Sequence, residues 1–425
     1  MKSYLEKNSG KISFALLSLS LFVSFIFNLD SAGSGGHIAD FNGTWGYVEA
    51  LTKHFFIYPS QTTTKFVTDN TPLGYMILSW INYFFNDEYI VRLIYCAISI
   101  TLPILFYFAL KGHYENLDSN TLLLLASIIF LLPSFRAGAI WANNSVVANI
   151  FFLTYVIFLN SWLKKAQFNK IDINILYQLF FLALAVYTRQ YYALIYLYAM
   201  YIYFKKLSLK NFLMVSLIVF IFTLPGFWLL LNDPSNYILL THLFNLKIYN
   251  TILISPSIMA FYLIPIFLIL FLNKVYTFDF KDKYNVLSTI FFIILISIIS
   301  IIFDYNYRVG GGFFVKLSYL FFDNLILGIA TSVIGLILLS HLAREDNDNL
   351  VLVVILILGF PSHFIFQKYF EPMFFLMLFL MFKSEIPKMF LKTKKNIYYL
   401  ALYLGLYLAS GILNHIFKIT KTFVT

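Results

Sequence analysis

Residues 286–303 read VLSTIFFIILISIISIIF, 18 positions without a charged side chain. As a helix such a stretch is about 27 Å long, close to the roughly 30 Å of hydrocarbon in a bilayer. Inside lipid the backbone must satisfy its own polar groups, so a helix is the expected form. Similar runs occur at 12–29, 90–110, 120–135, 138–163, 173–188, 191–204 and 212–232, and again at 254–273, 325–342, 350–366, 372–382 and 397–418. The pattern predicts an all-α polytopic membrane protein of about thirteen spans, of which 120–135, 191–204 and 372–382 are short for the task.

Composition agrees with lipid as the solvent. Hydrophobic residues make up 60% of the chain and charged residues 12%, against about 25% charged in a soluble domain. The 49 Phe and 31 Tyr suit a membrane and its interfaces better than a soluble β-rich fold. The net charge of +10 comes from basic residues in short loops, where topology and anionic headgroups account for it; no nucleic-acid partner is expected. Cys96 is the single cysteine, which excludes an intrachain disulfide and a cysteine-based metal cluster.

The basic residues also orient the chain. With the N-terminus inside, nineteen of the 30 Lys and Arg fall on the inner side, including Lys164, Lys165, Lys205, Lys206 and Lys383. That bias predicts a cytoplasmic N-terminus and an outer C-terminus, in a bacterial inner membrane or alternatively an endoplasmic reticulum membrane. The first run is read as an uncleaved span, although the small residues Ser31 to Gly36 would also suit a secretory signal. The whole of 1–425 is expected to form one membrane domain, and residues 30–89 its first extracytoplasmic loop.

That loop opens DSAGSGGHIADFNGTWGYVEALTKHFFIYPSQTTTKFVTDNTPLGYMILSWINYFF and mixes acidic, glycine and aromatic residues. Asp40 and Glu49 lie on an expected helix from Ile38 to Phe55, Asp69 follows, and Leu73 to Phe85 forms an amphipathic interfacial segment. A carboxylate beside apolar side chains is a candidate general base, because burial moves its pKa towards working pH. A helix cap or a solvated loop acid is the plainer reading of each. Arg189, Arg308 and Lys368 fall at outer span ends, where cations can stabilise a phosphate leaving group or simply anchor the chain. Arg92 and Arg136 read as such anchors. Gly310 to Gly312 beside Arg308 allow close backbone approach to a ligand or a tight turn, and His242 and His363 could donate to phosphate, although a lone histidine in such a place is more often structural. The sequon Asn42-Gly43-Thr44 matters only in a reticulum lumen.

The order YVEAL, then DNTPLGYMILSW, then RLIYCAISI at the next span resembles the first loop of the GT-C fold glycosyltransferases. LLPSFRAGAIWANNSVVANIFFL is similar to their fourth-span region. LAVYTRQYY and FQKYFEPMFFLMLF, the latter with Lys368, Tyr369, Glu371 and Pro372, resemble segments of the dolichyl-phosphoglucose-dependent α-1,2-glucosyltransferases. The resemblance implies transfer of a sugar from a polyprenyl-phosphate donor to a glycan or lipid-linked acceptor, with inversion. It makes Asp40 the catalytic base and puts Arg189, Gln190 and Lys368 on matched segments; Arg308, from its place at a span end, and Asp69 and Glu49, from their place in the loop, complete the substrate- and phosphate-binding candidates. No cofactor is assigned; a divalent metal stays open, although Phe41 stands where the family often has a second acid. The rival readings are a transporter or flippase, expected to place charges at the midplane, and a surface-polysaccharide polymerase, expected to carry its large loop later in the chain.

Overall fold

The computed structural model describes residues 8–30, 36–53, 71–165, 171–232, 247–277, 282–359 and 364–424. Every regular element among them is helical. The helices gather into two compact units, one of residues 1–240 with 404–425 and the other of 241–403.

Unit 1 begins with α1 (Ser9–Ile26), α2 (Gly36–Lys53), α3 (Leu73–Phe85), α4 (Glu88–Ser99) and α5 (Thr101–His113). It continues through α6 (Ser119–Ser127), α7 (Pro133–Ile140), α8 (Asn144–Leu163), α9 (Ile173–Thr188), α10 (Ile195–Lys206) and α11 (Leu209–Asn232). Unit 2 holds α12 (Ile248–Leu272), α13 (Lys283–Ile302), α14 (Gly312–Phe322), α15 (Ile326–Glu345), α16 (Asn347–Leu358), α17 (Met373–Leu380) and α18 (Glu385–Leu391), and α19 (Lys394–Val424) begins there. Many of the polar residues between apolar runs are N-caps, each offering an oxygen to a first-turn amide. Asp87 caps α4, Asp118 α6, Asn143 α8, Asp172 α9, Asp282 α13 and Asp346 α16.

Among the described residues, eight helices are long and apolar enough to cross a membrane, or nine if one bent pair counts as a span. The expected thirteen are therefore not all seen. Of the other five, 120–135 falls on the bent pair, which turns by 68° after Leu131. Leu132 there is extended at ψ 117°, the conformation that a following proline imposes. The run 173–188 forms a 16-residue helix, 191–204 breaks into a short 3-10 turn and the 12 residues of α10, and 350–366 and 372–382 yield helices of 12 and 8 residues. Apolar length alone does not separate a span from a buried half-helix.

Arg136 lies beside the bend, 2% exposed. It donates to Ser20 Oγ at 3.0 Å, the Ser20 carbonyl at 2.7 Å, Ser24 Oγ at 2.5 Å and the Phe130 carbonyl at 3.2 Å. It clamps α1 to the broken helix, and its anchor reading is corrected: the guanidinium does not reach out to an interface. At the far end of α1, Asn120 joins Ser9 and Gly10, while Lys164 after α8 bonds the Gly112 carbonyl and Glu115. The helices of unit 1 thus alternate. Asn28, Arg92, Asn143 and Arg189 gather at the end opposite Asn120 and Lys164, as the contacts below show.

In unit 2, α12 is the central helix, with 83% of its span buried. It packs on α15 through small residues, as helices do where lipid gives no hydrophobic drive. Ser257 and Thr331 hydroxyls lie 2.8 Å apart, Ser332 donates to the Leu253 carbonyl at 2.6 Å, and a Cβ on Gly335 would fall on the Pro256 carbonyl. Gly335→Leu is therefore expected to destabilise the protein by about 3 kcal/mol, because backbone and not a flexible side chain must yield. Thermal unfolding of the purified variant in detergent checks this; an unchanged midpoint would mean that the helices part freely. By contrast α11 and α13 bury only 6% and 17% of their spans and turn Leu213, Leu217, Phe220, Phe291, Ile294 and Ile301 outward.

Candidate functional site

The site in unit 1 starts from how α2 is held. Asp30, fully buried, accepts from the amides of His37 at 3.1 Å and Ile38 at 3.3 Å, so its carboxylate serves the free N–H groups at the start of the helix. His37 is buried beside it. The expected helix from Ile38 to Phe55 is thus present as Gly36–Lys53. One turn in, Asp40 is half-buried and its Oδ2 accepts from Asn143 Nδ2 at 3.3 Å.

Asn143 is the hub. As N-cap of α8 it offers Oδ1 to the Ser145 amide at 3.1 Å, and the same oxygen accepts from Arg189 Nη2 at 2.7 Å. Its carbonyl accepts from the Tyr95 hydroxyl at 2.5 Å and its amide donates to Gly138 at 2.8 Å. With Oδ1 committed to two donors, the carboxamide can only turn its N–H groups to Asp40. The chain reaches this position through Ala142 in the left-handed region at φ 45°. Arg189 arrives from the other side: it ends α9 in an extended conformation, its amide still bonded to Ala185 at 2.8 Å. A carboxylate and a guanidinium from helices far apart in sequence are thus linked through one carboxamide.

The walls of this cluster are aromatic and tightly packed. Arg92, 5% exposed, lies 3.7 Å over the Trp141 ring and 5.5 Å from the Phe41 ring, donating to the Ile140 carbonyl at 3.1 Å and Asn28 Oδ1 at 2.8 Å. Its anchor reading is corrected in the same way as that of Arg136: it ties the end of α1 to the turn before α8, under the face of α2 that carries Asp40. The TPLG stretch docks here too, Thr71 donating to the Val186 carbonyl at 2.9 Å and Gly74 lying so close to the Asn144 carboxamide that no Cβ fits. Asn144 is 3% exposed and its carboxamide has no hydrogen-bond partner among the described residues.

The remaining candidates divide. Gln190 opens the 3-10 turn next to Arg189 and is half-buried. Glu49 is exposed and accepts from Trp45 Nε1 at 3.1 Å, a solvated position rather than part of the cluster. Asp69, His242 and His363 lie outside the described residues. Arg308 and Lys368 belong to unit 2, on two segments stitched together: the Gly311 amide donates to the Ile365 carbonyl at 2.8 Å, and the Ile365 amide to the Tyr305 hydroxyl at 2.8 Å. Burial pushes the Tyr305 phenol up to about 12, so it stays protonated and also donates to the Val309 carbonyl at 3.0 Å. Arg308 is exposed; Lys368 is half-buried, its Nζ 5.1 Å from the Phe366 ring centre. Lys247 pairs with Asp304 at the start of the same loop, and that hydrogen bond raises the lysine pKa.

Chemically the unit 1 cluster offers a proton acceptor and a cation held at a set spacing. Its donor set does not suit a metal ion, since the carboxamide that reaches Asp40 is itself pinned by a guanidinium. No group of three or more His, Cys, Asp or Glu side chains converges among the described residues. Sequence reasoning passed over Asn143; its one signal was the doublet Asn143-Asn144, two carboxamides within an otherwise apolar stretch. Comparison with protein-family models, curated proteins and solved structures finds no match for this chain.

Proposed function

We propose that the chain is a membrane glycosyltransferase that moves one sugar from a polyprenyl-phosphate donor to a glycan or lipid-linked acceptor on the extracytoplasmic face. The observation that supports it is the Asp40–Asn143–Arg189 linkage. Asp40 takes the proton from the acceptor hydroxyl while that oxygen attacks the anomeric carbon from the face opposite the phosphate, giving inversion. Arg189, with Gln190, stabilises the charge that develops on the leaving phosphate, and its forked N–H groups suit that geometry. Within unit 2, Arg308 and Lys368 are the residues proposed to bind a polyprenyl phosphate; Glu49 and Asp69 take no part in the chemical step.

The test is transfer of radiolabelled sugar by the purified protein from a panel of polyprenyl-phosphate hexoses. Arg189→Ala and Lys368→Ala are expected to raise the donor KM about tenfold or more, the loss of one charge-assisted contact each. Folded variants with wild-type donor kinetics would make both residues anchors. Sidedness is read separately: a cysteine placed at Ser60 or Thr63 should react with an impermeant thiol reagent in intact cells, the native Cys96 being fully buried. Labelling only after permeabilisation would reverse the topology and remove the extracytoplasmic donor.

Transport is the second reading, favoured by the burial of Arg92, Arg136 and Glu371 within the helical units. Uptake or flipping of a lipid-linked sugar by reconstituted vesicles, without bond cleavage, would decide for it.

A further inference from the structure

Glu371 is an acid that the proposed reaction leaves unused, and it is 2% exposed in the core of unit 2. Its Oε1 accepts from the Tyr262 hydroxyl, in the middle of the central helix α12. That hydroxyl in turn accepts from Gln367 Nε2 at 3.1 Å, and Gln367 Oε1 accepts from the Phe313 amide at 3.0 Å. Phe313 lies in the first turn of α14, whose N-cap is Gly311, a residue with no side chain to cap it. A polar relay therefore runs from a buried carboxyl to the backbone at the end of the loop that carries Arg308. The loop has little freedom of its own: Gly310, Gly311 and Gly312 sit at φ 83°, 83° and 78°, and a Cβ on Gly310 would meet the Ile365 carbonyl.

An acid withdrawn from water in a helical bundle is harder to maintain than leucine of similar size. Leucine would fill the volume; it would not hold Tyr262, and Tyr262 would not hold Gln367. The relay adds a side-chain tie between the Arg308 loop and the Lys368 turn, beside the bonds that Ile365 makes to Gly311 and Tyr305, and Gln367 is adjacent to Lys368 in sequence. The Arg308 side chain is exposed and makes no hydrogen bond or ion pair among the described residues.

We infer that Glu371, Tyr262 and Gln367 are positioning residues that set Arg308 and Lys368 as one face for the phosphate of a polyprenyl-phosphate lipid. The inference rests on the donor reading proposed above, and the experiment separates the two. Full-length protein in phosphatidylcholine nanodiscs is titrated with a C55 polyprenyl phosphate and, in parallel, with the matching polyprenol, and amide exchange is followed across residues 303–313. Wild type is expected to prefer the phosphate. Gln367→Ala and Tyr262→Phe should each weaken phosphate binding about tenfold, leave polyprenol binding unchanged and speed exchange at Phe313. Glu371→Gln keeps a carbonyl acceptor for Tyr262 and should bind as wild type does, whereas Glu371→Leu should not. If exchange at Phe313 rises in Gln367→Ala while phosphate affinity stays as it was, the relay is architecture only and the inference is overturned. If Glu371→Gln loses as much as Glu371→Leu, the charge and not the hydrogen bond is what counts, which overturns it as well. A wild type indifferent to the phosphate would bring down the donor reading, and the inference with it.

Discussion

On the proposed mechanism, Asp40→Asn is expected to lower sugar transfer by about 10²- to 10⁴-fold, the usual effect of removing a general base. The substitution keeps the side chain's size and can turn its carbonyl oxygen to Asn143 Nδ2, so the contact made at 3.3 Å in the wild type survives. What it removes is proton acceptance. Donor binding and the thermal midpoint should therefore stay close to wild type, and the loss should fall on kcat. Glu49→Gln is the control within the same helix, since Glu49 is exposed and bonded only to Trp45 in what the structure describes. Asp69→Asn is the control within the same loop. The measurement is initial-rate transfer by each purified variant, with folding checked by gel filtration. Near-wild-type turnover in Asp40→Asn together with a large loss in Asp69→Asn would move the base to Asp69; full turnover in all three would end the transferase reading.

Asn143→Ala is expected to produce the next largest effect, a fall in turnover of about 100-fold, because reacting groups displaced by an ångström or so lose rates of that order. Its stability effect is much smaller, about 1 kcal/mol for the lost cap on α8. The disproportion is the point. A residue that merely starts a helix would move the thermal midpoint and leave the rate alone. Without the carboxamide, Arg189 and Asp40 are free to pair directly, which would occupy the base with the very cation meant for the phosphate. The double variant Asp40→Asn/Asn143→Ala should be little slower than Asp40→Asn alone, since the two residues act as a unit. Rates that multiply would show that Asn143 and Asp40 work independently, and the linkage would then carry no weight in the mechanism.

Much of the helical content was legible because lipid leaves few alternatives. The uncharged run 286–303 is helix α13 almost residue for residue, and the amphipathic segment Leu73 to Phe85 is α3 at both ends. The interruptions were harder. Pro133 marks a break at Leu132, yet Pro256 and Pro265 sit inside the unbroken α12, where close neighbours hold the helix together. Proline by itself does not say which outcome its surroundings impose. For the site, Asp40 and Arg189 were readable as charges beside apolar runs, but their partnership was not. It passes through Asn143, 103 residues from Asp40 and 46 from Arg189, and an asparagine before a helix looks like any other cap. Arg92 and Arg136 were misjudged for a related reason: a charge near a span end looks the same in sequence whether it faces water or a cluster of inward oxygens.

The clamp of Arg136 on α1 bears on how the chain is made. During synthesis α1 precedes Arg136, which follows 116 residues after Ser20. An arginine released into hydrocarbon alone would tend to slip back towards the aqueous side. Here Ser20 and Ser24 of α1 supply the oxygens that hold it, so insertion of the segment around Arg136 is expected to depend on α1. Membrane integration of a ribosome-bound chain truncated beyond Arg136 should accordingly depend on the two serines, which places a checkpoint for assembly well before unit 2 has been translated.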